Sequence, residues 1–169
     1  MKTFQEFMVE CSQLEESSLS RLKSKHDKGG VAVLSGSRGD KSSKENRARA
    51  KQLDKDIRGK FGKGATKVTG RYTEKGDDGK ERKVKERSHV VTSGKMGKRK
   101  FKKEVKKLGK KYGQDSVITQ TKPGGKATLK RTRKGGLPKK NIKLGKFKPQ
   151  GKNPEGETQI KGKTYTYDN

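Results

Sequence analysis

KRKFKKEVKKLGKKYG, residues 98–113, is the stretch on which the reading of the fold turns. Phe101, Val105, Leu108 and Tyr112 stand at i, i+4, i+7 and i+11, the spacing that puts four side chains on one face of an α-helix, and Gly113 is its stop. Between them every position except Glu104 and Gly109 is Lys or Arg. Such a helix has one apolar stripe to bury and one strongly cationic face to leave in water.

The stripe needs a partner surface, and the flanking sequence supplies strands. Downstream, Asp115 to Thr121 reads as a short strand with Val117 and Ile118 in the core. Upstream, Ala65 to Thr73 alternates, with Thr66, Val68, Gly70 and Tyr72 on one face and Lys67, Thr69 and Arg71 on the other. Lys75-Gly76-Asp77-Asp78-Gly79 reads as a hairpin turn, after which Arg82 to Thr92 pairs back and ends in Val90-Val91. Further upstream, Val31 to Leu34 is an apolar run typical of a buried strand. The next helix is capped by Ser42 or Ser43, carries Ala50, Leu53 and Ile57 as its apolar stripe, and stops at Gly59.

The order from 31 to 121 is therefore β-α-β-β-α-β. It predicts an α+β protein of ferredoxin-like type, with two helices on one face of a four-stranded antiparallel sheet and a single core. Residues 1–20 read as an acidic amphipathic leader and 21–30 as a linker; 31–121 is the core domain. The Lys/Gly/Pro-rich residues 122–169 read as a basic, mostly irregular C-terminal arm with one or two short strands and a possible edge strand at Thr164 to Tyr167. In the leader, Thr3 and Glu6 form a capping box, and Phe4, Phe7, Met8 and Cys11 share a helical face.

Charge narrows the function. The 169 residues hold 47 Lys and Arg against 19 Asp and Glu, a net +28, with 24% hydrophobic residues. The first 20 residues carry −3, so the other 149 carry +31. An excess of this size attracts phosphate backbones by counterion release. Arg99, Lys100, Lys103, Lys106, Lys107 and Lys110 on the second helix, with Lys130, Arg131 and Arg133 beyond it, are the candidate nucleic-acid contacts. Five Phe, four Tyr and no Trp argue for phosphate contact rather than base stacking. No long apolar run, secretory leader or lipidation motif points to a membrane partner.

Catalytic and metal motifs are sparse. His26, His89 and the single Cys11 offer no metal-binding spacing, so neither metal nor cofactor is expected. Mid-strand, His89 reads as a sheet-surface residue. Two constellations remain. Ser35-Gly36-Ser37-Arg38-Gly39-Asp40 lies between a strand and a helix N-terminus, where free amides hold anions; Ser35, Ser37 and Arg38, with Asn46 nearby, are its candidate contacts. Tyr72 and Glu86 lie on the paired middle strands, with Gln114 at the mouth of the last one. Each has a plain structural alternative, a turn in the first case and a cross-strand charge pattern in the second.

Two resemblances add to this. Met1-Lys2-Thr3-Phe4-Gln5-Glu6-Phe7-Met8-Val9-Glu10 resembles the capsid-targeting peptide of internal head proteins of T-even-type phages. The resemblance implies contact with the prohead scaffold and removal by the prohead protease after Glu10, leaving Cys11 first and a net +29; Leu14-Glu15-Glu16 is a second site of the same form. Over Ser35 to Val117 the chain resembles small basic proteins of T-even-like cyanophages, and more loosely it is similar to phage S-adenosylmethionine lyases. That likeness rests on Asn46-Arg47-Ala48-Arg49, Gly70-Arg71-Tyr72-Thr73-Glu74, Val84-Lys85-Glu86-Arg87 and Gln114-Asp115-Ser116-Val117, and it nominates Tyr72 and Glu86 as catalytic.

The main expectation is a non-enzymatic internal virion protein that binds DNA without sequence preference, resides in the phage head and passes through the host cytoplasm. The alternative is a small enzyme acting on S-adenosylmethionine against host methylation or restriction. Ribosomal-type RNA binding fits the charge as well.

Overall fold

The structure, a computed structural model, describes residues 20–75, 79–135, 139–149, 156–160 and 163–168. The leader, with its proposed processing site at Glu10 and Cys11, lies outside the described residues, as does the tip of the hairpin at 76–78. The protein is a mixed α+β structure. Helix α1 (20–28) is followed by β1 (Val31–Ser35), α2 (Ser43–Phe61), β2 (Thr66–Lys75), β3 (Glu81–Thr92), α3 (Lys98–Lys111) and β4 (Ser116–Gln120). Then come β5 (Ala127–Arg131), β6 (Ile142–Pro149), β7 (Gly156–Ile160) and β8 (Lys163–Asp168).

The strands form an antiparallel sheet that curls into a closed barrel in the order β1-β3-β2-β7-β8-β6-β5-β4. The open four-stranded ferredoxin-like sheet expected from the sequence therefore does not stand alone. β4, β1, β3 and β2 are neighbours, but β2 goes on to pair with β7 and β4 with β5. Two further differences follow. The described part of residues 122–169 holds four strands, more than the one or two short strands and possible edge strand expected of a mostly irregular arm, and residues 21–28 of the expected linker are helical. Closure explains why: an unpaired strand edge exposes a row of amides and carbonyls, and only a ring of strands satisfies them all.

The sheet buries both faces, so there are two apolar clusters where one was expected. Ala32, Leu34 and Val91 face outward onto Leu53 and Ile57 of α2 and onto Phe101, Val105 and Leu108 of α3. Val31, Val68 and Val90 face inward, where they meet Leu22 of α1 and Tyr165 of β8. Burial on both faces is why Val31 to Leu34 is apolar without alternation. Each fully buried Leu, Ile or Phe contributes about 1.5–3 kcal/mol, which a chain this polar cannot spare.

Helix α1 packs on the inward-facing cluster of the barrel through Leu22. Its His26, only 1% exposed, stacks on Phe147 with ring centroids 4.1 Å apart and lies edge-on to Tyr165. Nδ1 of His26 is 2.8 Å from the Leu22 carbonyl and must donate to it. Nε2 of the neutral ring therefore accepts from the Tyr167 hydroxyl, also at 2.8 Å. His89 is likewise interior, at 2% exposure, and not on the sheet surface as expected. It pairs in register with Leu34 and so lies on the face that α2 and α3 cover.

Helix α2 starts on a capping box. Ser42 Oγ accepts from the Glu45 amide, and the Glu45 carboxylate accepts from the Ser42 amide. It runs past Gly59 and ends at Gly62, whose φ of 67° only glycine adopts without strain. The apolar stripe of α3 is as expected, with Phe101, Val105 and Leu108 buried.

Candidate active site

The ladder between β1 and β3 stops at Ser35 opposite Ser88, although β3 extends back to Glu81. Lys85, Glu86 and Arg87 thus lie beyond the end of β1, and the chain leaving β1 turns beside them into α2. The result is an open cleft of about 430 Å³. Ser37, Arg38, Gly39 and Lys41 line it from the loop, Ser43, Asn46 and Arg47 from the first turns of α2, and Lys85, Glu86 and Arg87 from β3.

The loop is held from every side. Ser35 donates its amide to Gln114 Oε1 at 2.9 Å and its hydroxyl to the Arg87 carbonyl at 2.9 Å, tying the end of β1 to β3 and to the turn after α3. The Ser37 amide donates back to Ser35 Oγ at 3.1 Å. The Arg38 amide donates to Asn46 Oδ1, while the Arg38 side chain donates to Asp40 at 2.7 Å and to the Gly113 carbonyl at 3.1 Å. Arg49 of α2 donates to the carbonyls of Gly36 and Tyr112. At Gly36 the loop comes so close to α2 that a Cβ would lie 3.1–3.2 Å from the Arg49 and Ala50 backbone, so a larger residue would push the loop outward.

This geometry revises the anion-loop idea. The amides of Ser35, Ser37 and Arg38, expected to be free, are used in holding the loop. The N-terminus of α2 is already served by the Glu45 carboxylate, whose hydrogen bond from the Ser42 amide holds its pKa below the ordinary range. Ser35, 3% exposed, spends its amide and its hydroxyl on the Gln114 and Arg87 bonds. The charged residues lining the cleft are five cationic ones, Arg38, Lys41, Arg47, Lys85 and Arg87, and one acidic one, Glu86.

Of the residues singled out in the sequence, Ser37, Arg38, Asn46 and Glu86 meet at the cleft, and Ser35 and Gln114 brace it. Tyr72 pairs with Val84 and Glu86 with Gly70, so Tyr72 and Glu86 share one face of the β2–β3 ladder as diagonal neighbours. That face is the one on which Val68 and Val90 point into the barrel. The side chain of Tyr72 lies outside the described residues. Arg47, Lys85 and Arg87 were missed as site residues although they flank the residues that were chosen. Their signal was present in the blocks at 46–49 and 84–87, but only the end of β1 shows that these two segments meet. None of the cationic residues assigned to nucleic acid on α3 and after it lines the cleft.

Comparison with known proteins adds one finding. The model of the S-adenosylmethionine lyase family matches residues 32–169, which spans β1 through β8 and every residue of the cleft. No curated protein matches the chain. The family match favours the enzyme expected as the alternative over an internal head protein.

Proposed function

The chain belongs to the S-adenosylmethionine lyase family, and we propose that it breaks a carbon–sulfur bond of S-adenosylmethionine in the cleft between the 35–41 loop, α2 and β3. The single observation that carries this reading is that the family match covers a cleft whose lining combines one acidic residue, Glu86, with five cationic ones.

The substrate chemistry fits that charge distribution. S-adenosylmethionine carries a carboxylate, an ammonium and a permanently charged sulfonium. Arginine pairs with carboxylates through two parallel N–H bonds, so Arg47 and Arg87 are suited to the carboxylate end. Glu86 is suited to the cationic end. As the bond breaks, sulfur takes the electron pair and leaves as a neutral thioether nucleoside, so positive charge disappears from the reacting centre. A surrounding excess of cations destabilises the charged ground state more than a transition state in which that charge is fading. The carboxylate oxygen of the amino-acid fragment bonds to the carbon that sulfur leaves, closing a lactone ring, so neither water nor an oxidant enters. Tyr72, diagonal to Glu86 in the β2–β3 register, is the second residue that the family resemblance nominates for the chemistry.

The test is direct. Purified protein incubated with S-adenosylmethionine should release the thioether nucleoside, detected by mass spectrometry, and Glu86→Gln should lose that release while its circular dichroism is unchanged. No release by the unaltered protein under any condition in which it is folded would overturn the reading.

A further inference from the structure

The two sides of α3 are treated differently by the fold. On the side toward α2, its charges are neutralised: Glu104 pairs with Lys60 at 2.8 Å, and Lys111 pairs with Asp56 at 2.6 Å. Lys107 also reaches Glu104, at 3.2 Å. On the side toward β5 the pattern inverts. There Lys102 and Lys106, one helical turn apart, stand on the flank where Gly109 packs on Thr132, and Lys130 lies two residues before Thr132 on β5, so the cations of the helix and of the strand share one side of α3. Among the described residues, no ion pair involves Lys102, Lys106 or Lys130. Burial first, and then the charges of Lys102 and Lys106, hold the Lys130 ammonium below the ordinary lysine range.

Packing does not require this junction. Gly109, with Val117 and Thr132 beside it, sets how closely α3 lies against β4 and the end of β5. A fold that only had to seat α3 could place an acid at any of the three lysine positions, as it does at Glu104 and Asp56. Repulsion at an arrangement of this kind is relieved when an anion shared by all three cations binds.

We propose that the α3–β5 face, centred on Lys102, Lys106 and Lys130 and extended by Arg99, Lys103 and Lys110, binds the phosphate backbone of nucleic acid. Arg99, Lys103 and Lys110 are exposed on the side of α3 away from Phe101, Val105 and Leu108. From Arg99 to Lys110 the helix rises about 16 Å, the axial length of roughly five base pairs of duplex. A run of regularly spaced phosphates matches a cationic row of that length. An anionic membrane would instead favour an apolar helix face turned outward, and the apolar face of α3 is packed on the sheet. This surface is separate from the cleft, so the proposal stands or falls independently of the lyase reading.

The experiment measures binding of a fluorescent mixed-sequence DNA duplex by anisotropy over a salt series. Three proteins are compared: the unaltered chain, Lys102→Gln/Lys106→Gln/Lys130→Gln, and a control with the same charge loss on α2, Lys44→Gln/Lys51→Gln/Lys55→Gln. Each lost phosphate contact lowers the slope of log K against log salt by about 0.9, so the first variant should lose about 2.7 from its slope and the control much less. At about 0.1 M salt its affinity should fall on the order of a hundredfold. Lys102→Arg/Lys106→Arg/Lys130→Arg should bind like the unaltered chain. If the glutamine triple variant does not fold, Lys103→Gln/Lys110→Gln, at exposed positions, should lower the slope by about 1.8. Equal losses in the α3–β5 variant and the control would overturn the proposal in favour of diffuse charge attraction. So would binding to vesicles of anionic phospholipid with none to the duplex.

Discussion

Arg38 and Asn46 hold each other through two reciprocal hydrogen bonds: the Arg38 amide donates to Asn46 Oδ1, and Asn46 Nδ2 donates to the Arg38 carbonyl, each at 2.9 Å. A single side chain on α2 thereby bonds both backbone groups of one loop residue and fixes the path of the loop along the cleft. Asn46→Ala leaves both groups without these partners, at a cost of about 1–3 kcal/mol. Urea denaturation should show that loss as a lower midpoint with an unchanged m-value. Release of the thioether nucleoside should fall in the same variant under conditions where it remains folded.

Gly109→Ala should destabilise the protein although alanine favours helices. On an exposed helix the change would gain about 1 kcal/mol. Here the new methyl would lie 2.7 Å from Val117 Cγ1 and 2.8 Å from Thr132 Cγ2, so α3 must lift from the sheet. The overpacking costs about 1–3 kcal/mol, and a thermal melt with a raised midpoint would refute the packing described here.

Leu22→Ala tests whether α1 belongs to the folded unit. Leu22 is fully buried in one cluster with Val31, Val68, Val90 and Tyr165. Truncation should cost about 2–5 kcal/mol, whereas a residue in a mere linker would show almost no change. Chemical denaturation of the two proteins side by side gives the difference.

Acid should weaken the fold through two histidines. Burial is the first cause holding both His26 and His89 below the ordinary histidine value of 6.5. Each is then neutral in the folded protein at pH values where the unfolded chain takes up a proton. Stability is therefore fully present above about pH 6.5 and declines as the pH falls below it toward the lowered values. The melting temperature should drop between neutral pH and mildly acidic pH, and the drop should be smaller in His89→Gln, which removes one of the two groups. An equal drop in that variant would exclude His89 as a contributor.

Much of the architecture was legible in local pattern. The stripe Phe101, Val105, Leu108 and Tyr112, the stripe Ala50, Leu53 and Ile57, and the alternation around Val68 are set by neighbours a few residues away. These elements appear where the periodicity puts them, with ends displaced by a few residues. The strands after Gln120 were less legible because their apolar positions are few and widely spaced: Ala127 and Leu129 on β5, Phe147 on β6, Tyr165 and Tyr167 on β8. Their burial depends on pairing with segments far along the chain, and no local period records it.

The candidate site divides in the same way. Ser37, Arg38, Asn46 and Glu86 were visible as loop chemistry and as strand residues, but nothing in the sequence placed β3 beside the loop. The amides taken to be open to an anion are occupied by Gln114, Ser35 and Asn46, partners that only the folded chain brings near.

What the 98–113 stretch determined by itself was a helix with one apolar face and one cationic face, because both properties follow from side-chain spacing along 3.6 residues per turn. Tertiary structure alone decided which of its lysines meet acids on α2 and which share a side of the helix with Lys130, and that the sheet beneath it closes into a barrel. The physical reason is that charge pairing and strand closure are contacts across space. Periodicity carries the direction in which a side chain points but not what stands opposite it.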